Sequence, residues 1–224
     1  MEIRKIGIVG CGQWEILRSI RIYNRMNAGK IQLETEGFFD DDPAKIGREY
    51  GGYRVLGNIE SLGEGRFQDL LVINNIRKDC ETRKRVTERL KSVKAKFFSF
   101  ALLPDVDPER DNVHLGEGVE IQEGTYIGHD TRIGDHVAIT YNVTIAHENS
   151  IGDYSFIAPG AVLAGRVTVG EGAYIGAGSV IIQNIKVGDW STVGAGSVVM
   201  ADVPPDCTVI GNPARVVYKK DRGV

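Results

Sequence analysis

From Leu115 onward an aliphatic residue recurs at every sixth position: Leu115, Ile121, Ile127, Ile133, Ile139, Ile145, Ile151, Ile157, Leu163, Val169, Ile175, Ile181, Val187, Val193 and Val199. These fifteen positions run without a miss or an insertion. Four residues after nearly every one stands a small or β-branched residue, from Val119 through Val203, and Gly commonly follows the aliphatic residue, as in IGHDTR, IGDYSF and VGEGAY. The period predicts short strands joined by tight turns, each strand sending one aliphatic side chain inward. Glycine is useful there where a turn needs positive φ or the backbones approach closely. Three hexads closing one triangular coil of about 18 residues would give about five coils, a prism on the order of 24 Å tall.

The first hundred residues follow a different pattern. Ile6–Val9 is a short apolar strand, Gly10-Cys11-Gly12 a tight turn, and Ile16, Leu17, Ile20 and Tyr23 form a helical stripe ending near Gly29. A second strand runs to Phe38-Phe39 and meets the acidic run Asp40-Asp41-Asp42. Asp69–Asn74 predicts a third strand, residues 79–91 a polar helix, and Lys96–Phe100 a further strand. This alternation describes a small Rossmann-like parallel α/β unit. The stretch Pro104–Asn112, with two prolines and four acids, reads as a linker. The expected boundaries are therefore 1–104 for the α/β domain, 105–112 for the linker and 113–224 for the repeat domain with its C-terminal tail.

Composition narrows the function classes. A net charge of −3 over 224 residues leaves no cationic footprint for nucleic acid. No apolar run is long enough for a membrane span, and the N-terminal apolar stretch is too short and too glycine-rich for a signal peptide. Three scattered cysteines, Cys11, Cys80 and Cys207, argue against a disulfide framework. The expectation is a soluble cytoplasmic protein without a nucleic-acid or membrane partner.

Gly10-x-Gly12 between a strand and a helix can bring backbone N–H groups towards a phosphate. Glu15 occupies the slot of the third glycine in a dinucleotide fingerprint, so NAD is not expected. Asp40 and Asp41 close the second strand, where a carboxylate can accept hydrogen bonds from a ribose or a base. The four histidines, His114, His129, His136 and His147, all lie in or beside the repeats. His129 precedes His147 by one 18-residue coil and should stack one coil below it; His136, at another phase, is expected to face solvent or a neighbouring subunit. The basic run from Arg77 to Lys96, interleaved with Glu81 and Glu88, is most simply an exposed helix face.

The in-phase hexads resemble the hexapeptide-repeat, left-handed parallel β-helix acyltransferases. The order of a small α/β domain before such a coil resembles the group that modifies sialic acids and nucleotide-linked amino sugars, including the bacillosamine and perosamine N-acetyltransferases. The resemblance implies a homotrimer with active sites between subunits, acetyl-CoA as acyl donor and no metal. It implies a nucleotide (UDP or GDP) held by the N-terminal domain, with Gly10, Gly12, Gln13, Asp40 and Asp41 against it and Asn74 and Asn75 near the third strand end. His147 matches the family's general base and Glu148 the acid that supports it, with Asn142 orienting the site. An imidazole suits that role near neutral pH, and an adjacent carboxylate favours its charged form.

Position-matched coenzyme contacts are Phe156, where the family has a histidine, and Gly165, Ala177 and Ala195. Small residues there let backbone amides approach the thioester carbonyl. Ile210–Val217 resembles the Gly-x-Pro-Ala-Lys/Arg close of many such enzymes, with Arg215, Lys219 and Lys220 near coenzyme phosphates. At the first turn the chain departs from the family, with Gly12-Gln13-Trp14-Glu15 where members show a Gly-His-Ala/Gly-Lys-like sequence. The implied function is acetyl transfer to the amino group of a nucleotide-linked amino sugar. Its rivals are O-acetylation of sialic acid, a non-catalytic nucleotide-sugar binder, and a zinc hydratase like the γ-type carbonic anhydrases. In that last family the final two zinc-binding histidines are four residues apart, whereas the spacings here are 7 and 11.

Overall fold

The computed structural model describes residues 1–104 and 106–219. The chain divides into two compact units, Met1–Lys78 with Thr82–Phe100 and Asp79–Glu81 with Ala101–Val224.

The first unit is built on one sheet of strands β1 (Glu2–Val9), β2 (Ile31–Phe39), β3 (Glu49–Tyr50), β4 (Tyr53–Gly57), β5 (Leu71–Asn74) and β6 (Lys96–Phe97), in the order β3-β4-β2-β1-β5-β6. Its pairings are parallel except for the edge pair β3–β4, which is antiparallel. The apolar half of β1 is central and buried, with Ile6 and Ile8 fully inaccessible. Helix α1 (Ile16–Met26) buries Ile16, Leu17 and Ile20 and is tied to β2 by its Asn24, which exchanges two hydrogen bonds with the Leu33 backbone. Helix α2 (Cys80–Ser92) sends Val86 and Leu90 into the core formed with Val9, Phe39 and Leu62. Because β1 lies between β2 and β5, the loops after these three strands converge where the strand order switches direction. In open α/β sheets this crevice takes ligands.

In the second unit, fifteen two-residue strands each end on one of the hexad aliphatics. Each pairs in register with the strand 18 residues away; Thr144–Ile145 lies between Tyr126–Ile127 and Val162–Leu163. The result is a left-handed parallel β-helix with three sheet faces. The first face runs from Tyr126–Ile127 to Val198–Val199, the second from His114–Leu115 to Lys186–Val187, and the third includes Glu120–Ile121 to Thr192–Val193. From Ile121 to Val199 the hexad aliphatics are 0–3% exposed, and their partners four residues on are 0–8% exposed. The aliphatics fill the prism as a stack of apolar side chains, with small and polar residues such as Thr131, Asn149 and Ser155 buried at the turns.

The turn repeats as strictly as the strand. The third residue after each aliphatic, from Gly118 to Gly196, has positive φ, yet most of these residues carry side chains, among them Asp130, His136, Asn142, Glu148 and Arg166. The glycine directly after the aliphatic has a different task. A Cβ on Gly128 would stand 2.7 Å from the Ala146 carbonyl carbon, so this glycine lets the next coil stack closely. The C-terminal segment forms a hairpin, Cys207–Gly211 with Ala214–Lys219, that extends the third face. None of Cys11, Cys80 and Cys207 forms a disulfide. Among the described residues, no helix is long and apolar enough to cross a membrane.

Candidate active site

His147 and Glu148 occupy the turn between Thr144–Ile145 and Ser150–Ile151, at the edge where the first and second faces meet. Glu148 takes the positive-φ position of the turn (φ 59°), and its Oε2 lies 2.8 Å from His147 Nδ1. The hydrogen bond from His147 and the Arg166 guanidinium hold the Glu148 carboxyl below the usual carboxylate range. An ionised carboxylate only accepts, so Nδ1 carries the proton and Nε2 keeps a lone pair.

The coils on either side of His147 complete the arrangement. One coil earlier, His129 Nδ1 lies 2.7 Å from Asp130 Oδ2, and its ring lies parallel to that of His147, with centroids 5.4 Å apart and planes 11° apart. One coil later stands Gly165, where a Cβ would come within 2.6 Å of His147 Cε1. Only glycine leaves the imidazole its place. Below Glu148, Arg166 donates through NH1 to Glu148 Oε2 (3.3 Å) and through Nε to Asn184 Oδ1 (2.8 Å). The 18-residue step from 148 to 166 to 184 was readable in the sequence, but Arg166 and Asn184 were not among the expected site residues.

Other expected residues fall elsewhere. Asn142, Ala177 and Ala195 lie on the edge between the third and first faces, so the first face separates them from His147, Glu148 and Gly165. Phe156 is on the third face, 8% exposed and stacked on Tyr174 at 5.3 Å, and the chain does not bring it to the His147 edge. His136 corrects an expectation: it is fully buried rather than solvent-facing, stacked on Tyr154 at 5.5 Å and seated over Gly118, where a Cβ would meet its ring. Arg215 and Lys219 lie on the exposed part of the C-terminal hairpin, and Lys220 lies outside the described residues.

In the first unit, Gly10, Gly12 and Gln13 form the turn at the C-terminal end of β1, and Gly12 and Gln13 are exposed. The acids and amides around this turn are occupied in shaping it. Asp40 Oδ2 accepts from the Cys11 backbone N–H (3.3 Å) and thiol (3.1 Å), while Lys45 Nζ donates to the same carboxylate. Burial, with the hydrogen bond to Asp40, pushes the Cys11 thiol up to about 11. Burial also raises the Asp40 carboxyl, but the Asp42 N–H, the Cys11 thiol and Lys45 outweigh it and leave the carboxyl lowered. Asp41 pairs with Arg89 and accepts from the Ile59 N–H. Asn74 and Asn75 are each 3% exposed; Asn74 donates to Thr87, and Asn75 donates to the carbonyls of Gly10 and Gln13. Among the described residues, no group of three or more His, Cys, Asp or Glu side chains is arranged to hold a metal ion.

Comparison with known proteins places this geometry. Residues 112–147, 150–183 and 166–201 match the family described as bacterial transferase hexapeptide (six repeats). Nearly the whole chain is similar to a mutant of perosamine N-acetyltransferase from Caulobacter crescentus solved with CoA and GDP-perosamine (27% identity, 98% of each chain, TM-score 0.78). It is similar also to the acetyltransferase domain of PglB from Neisseria gonorrhoeae, solved with acetyl coenzyme A (26% identity, 96% of this chain and 99% of that one, TM-score 0.79). A third such structure is WeeI from Acinetobacter baumannii (25% identity, 96% of this chain and 100% of that one, TM-score 0.79). Comparison with curated proteins gave no match. The unbroken hexads, the coil they build and these likenesses support an acyltransferase enzyme, similar to the hexapeptide-repeat transferases that carry an α/β domain ahead of the β-helix.

Proposed function

We propose that the protein transfers an acetyl group from acetyl-CoA to the amino group of a nucleotide-linked amino sugar. The observation that carries this reading is the His147–Glu148 pair lodged over Gly165, in a chain similar end to end to an enzyme solved with CoA and GDP-perosamine. His147 Nε2 takes a proton from the amine as its nitrogen bonds to the thioester carbonyl carbon. The oxyanion of the tetrahedral intermediate is stabilised by the Gly165 N–H, which has no hydrogen-bond partner among the described residues. The C–S bond then breaks, the amide carbonyl re-forms, and the leaving thiolate takes the proton from the His147 imidazolium. Glu148 keeps the ring in the required tautomer and favours its charged form.

The nucleotide lies against the turn Gly10–Gln13. Because the side chains of Asp40, Asp41, Asn74 and Asn75 are already committed, their part is to hold that turn and its neighbours in shape. Binding the nucleotide far from the reacting atoms positions the amine and lowers the entropic barrier. A second copy of the chain completes the site. The two edges of the first face carry His147 with Gly165 and Asn142 with Ala177 and Ala195, and a homotrimer with acetyl-CoA lying between coils brings unlike edges together. The test is thiol release from acetyl-CoA with UDP-, GDP- and dTDP-linked 4-amino sugars and with free sialic acid. Release with one nucleotide amino sugar supports the reading; release with sialic acid alone makes the enzyme an O-acetyltransferase.

A further inference from the structure

Glu148 is held from two sides. Among the described residues its carboxylate has two partners, His147 Nδ1 at 2.8 Å and Arg166 NH1 at 3.3 Å, and both meet the same oxygen, Oε2. Arg166 is itself fixed. Its backbone N–H donates to the His147 carbonyl (3.0 Å), its φ of 59° repeats that of Glu148, and its Nε donates to Asn184 Oδ1 at 2.8 Å. Asn184 makes the same turn one coil on, with φ 63° and its N–H on the Gly165 carbonyl (3.1 Å). A guanidinium is planar with its donors at fixed angles, so anchoring Nε on Asn184 sets where NH1 points. A chain of side chains, Asn184 to Arg166 to Glu148, thus ends on the hydrogen-bonded nitrogen of the imidazole.

The preceding coil carries the same device in another form. Asp130 meets His129 Nδ1 through Oδ2 at 2.7 Å and receives Asn112 Nδ2 on Oδ1 at 2.6 Å. That clamp is neutral and acts on a short acid, whereas Glu148 has one more rotatable bond to restrain and its clamp is a cation. The side chains of His147, Glu148 and Arg166 are 41%, 46% and 51% exposed, so the ion pair adds little to stability and its weight falls on geometry. We infer that Arg166 is a positioning residue of the acetyl transfer: it keeps Glu148 on His147 Nδ1, so that Nε2 stays the free nitrogen, and its charge offsets part of the carboxylate's hold on the ring proton. The inference rests on His147 as the general base of the reading above and adds the residue that governs its tautomer and working pH. Among the described residues, the charged and titratable groups facing this ring are Glu148, Arg166 from the next coil, and His129 with Asp130 from the preceding one. A cation beside Glu148 disfavours the imidazolium, so its removal moves proton uptake by the base to higher pH.

The experiment compares the full-length wild type with Arg166→Ala and Arg166→Lys. Nitrogen NMR of the labelled His147 ring reads its tautomer without substrate, and thiol release from acetyl-CoA gives the pH profile with the acceptor that the wild type uses. In Arg166→Ala the Nε2–H tautomer should appear in the neutral ring, and the acid limb of kcat/KM should move up by about half a unit, the scale of an exposed ion pair. Its kcat on the pH plateau should fall about three- to tenfold as the ring loses its fixed partner. Arg166→Lys keeps the charge without the planar fork, so its acid limb should stay at the wild-type pH while kcat falls. Adding Arg166→Ala to Glu148→Gln should cost nothing further, because both changes act through one carboxylate. A wild-type tautomer and acid limb in Arg166→Ala, or losses that multiply in the double variant, overturn the inference. If the wild type releases no thiol with any nucleotide-linked amino sugar, the amino-sugar reading fails, and the His147 tautomer in the substrate-free Arg166→Ala protein still decides whether Arg166 positions the pair.

Discussion

The imidazole of His147 lies so close to Gly165 that a single added carbon at residue 165 would stand 2.6 Å from its Cε1. Residue 165 is not at a positive-φ position, so Gly165→Ala strains the ring rather than the backbone. Displacing a catalytic ring by about an ångström can cost on the order of a hundredfold in rate. Gly165→Ala should therefore lower kcat by roughly ten- to a hundredfold while the melting temperature stays near that of the wild type. A variant with full kcat would mean that the ring does not act from the position seen here.

Glu148 sets the pH behaviour. Its carboxyl is lowered by the His147 hydrogen bond and by Arg166, so it stays ionised through the range in which an imidazole titrates. Protonation of Glu148 should therefore add no proton of its own to the acid limb of kcat/KM until well below neutral pH. Glu148→Gln removes the charge that favours the imidazolium and should lower kcat by roughly tenfold or more. A pH–rate profile that falls with two protons on the acid side would contradict this assignment.

The first turn is held by a buried thiol and a lowered carboxyl. With the Cys11 thiol pushed up to about 11, iodoacetamide at pH 8 should spare Cys11 in the folded protein and label it once the chain is unfolded. Asp40 has a lowered folded-state carboxyl, so its contribution is present above the unfolded-state value and is lost as pH falls through the folded-state one. Asp40→Asn should lower stability at neutral pH by about 1–3 kcal/mol, read from denaturant unfolding, with a smaller effect in acid. An equal effect at both pH values would show that the carboxylate charge is not what holds the turn.

The coil core makes a prediction independent of the chemistry. Ile157 is fully buried among the stacked hexad aliphatics, so Ile157→Ala should cost about 2–5 kcal/mol by the cavity it leaves. Thermal unfolding measures it directly.

The β-helix was legible because its rule is local. The hexad places an aliphatic at every strand and a small or β-branched residue at nearly every inward turn position, and no distant contact changes that phase. The stacking of His129 on His147 followed from the same count. What the count could not supply was the burial of individual outer positions. His136 sits at a turn like any other, yet the Tyr154 ring covers one side and the bare Gly118 accommodates the other. The fold-back of Ala214–Lys219 was missed because it breaks the period. The two-residue strand β3 was missed because it is too short to show one, pairing with β4 only across Gly51-Gly52. In the first unit the sequence placed Asp40, Asp41, Asn74 and Asn75 at the right end of the sheet. Their engagement with Cys11, Arg89, Thr87 and the Gly10–Gln13 turn depends on contacts far apart in sequence, which no local pattern records.

The most direct test compares the wild type with His147→Ala in one assay, thiol release from acetyl-CoA with the nucleotide-linked 4-amino sugar that the wild type accepts. The account predicts a loss of at least a hundredfold in kcat, the scale of a removed general base, with CoA and nucleotide-sugar binding retained. A His147→Ala enzyme that still turns over at the wild-type rate would contradict it.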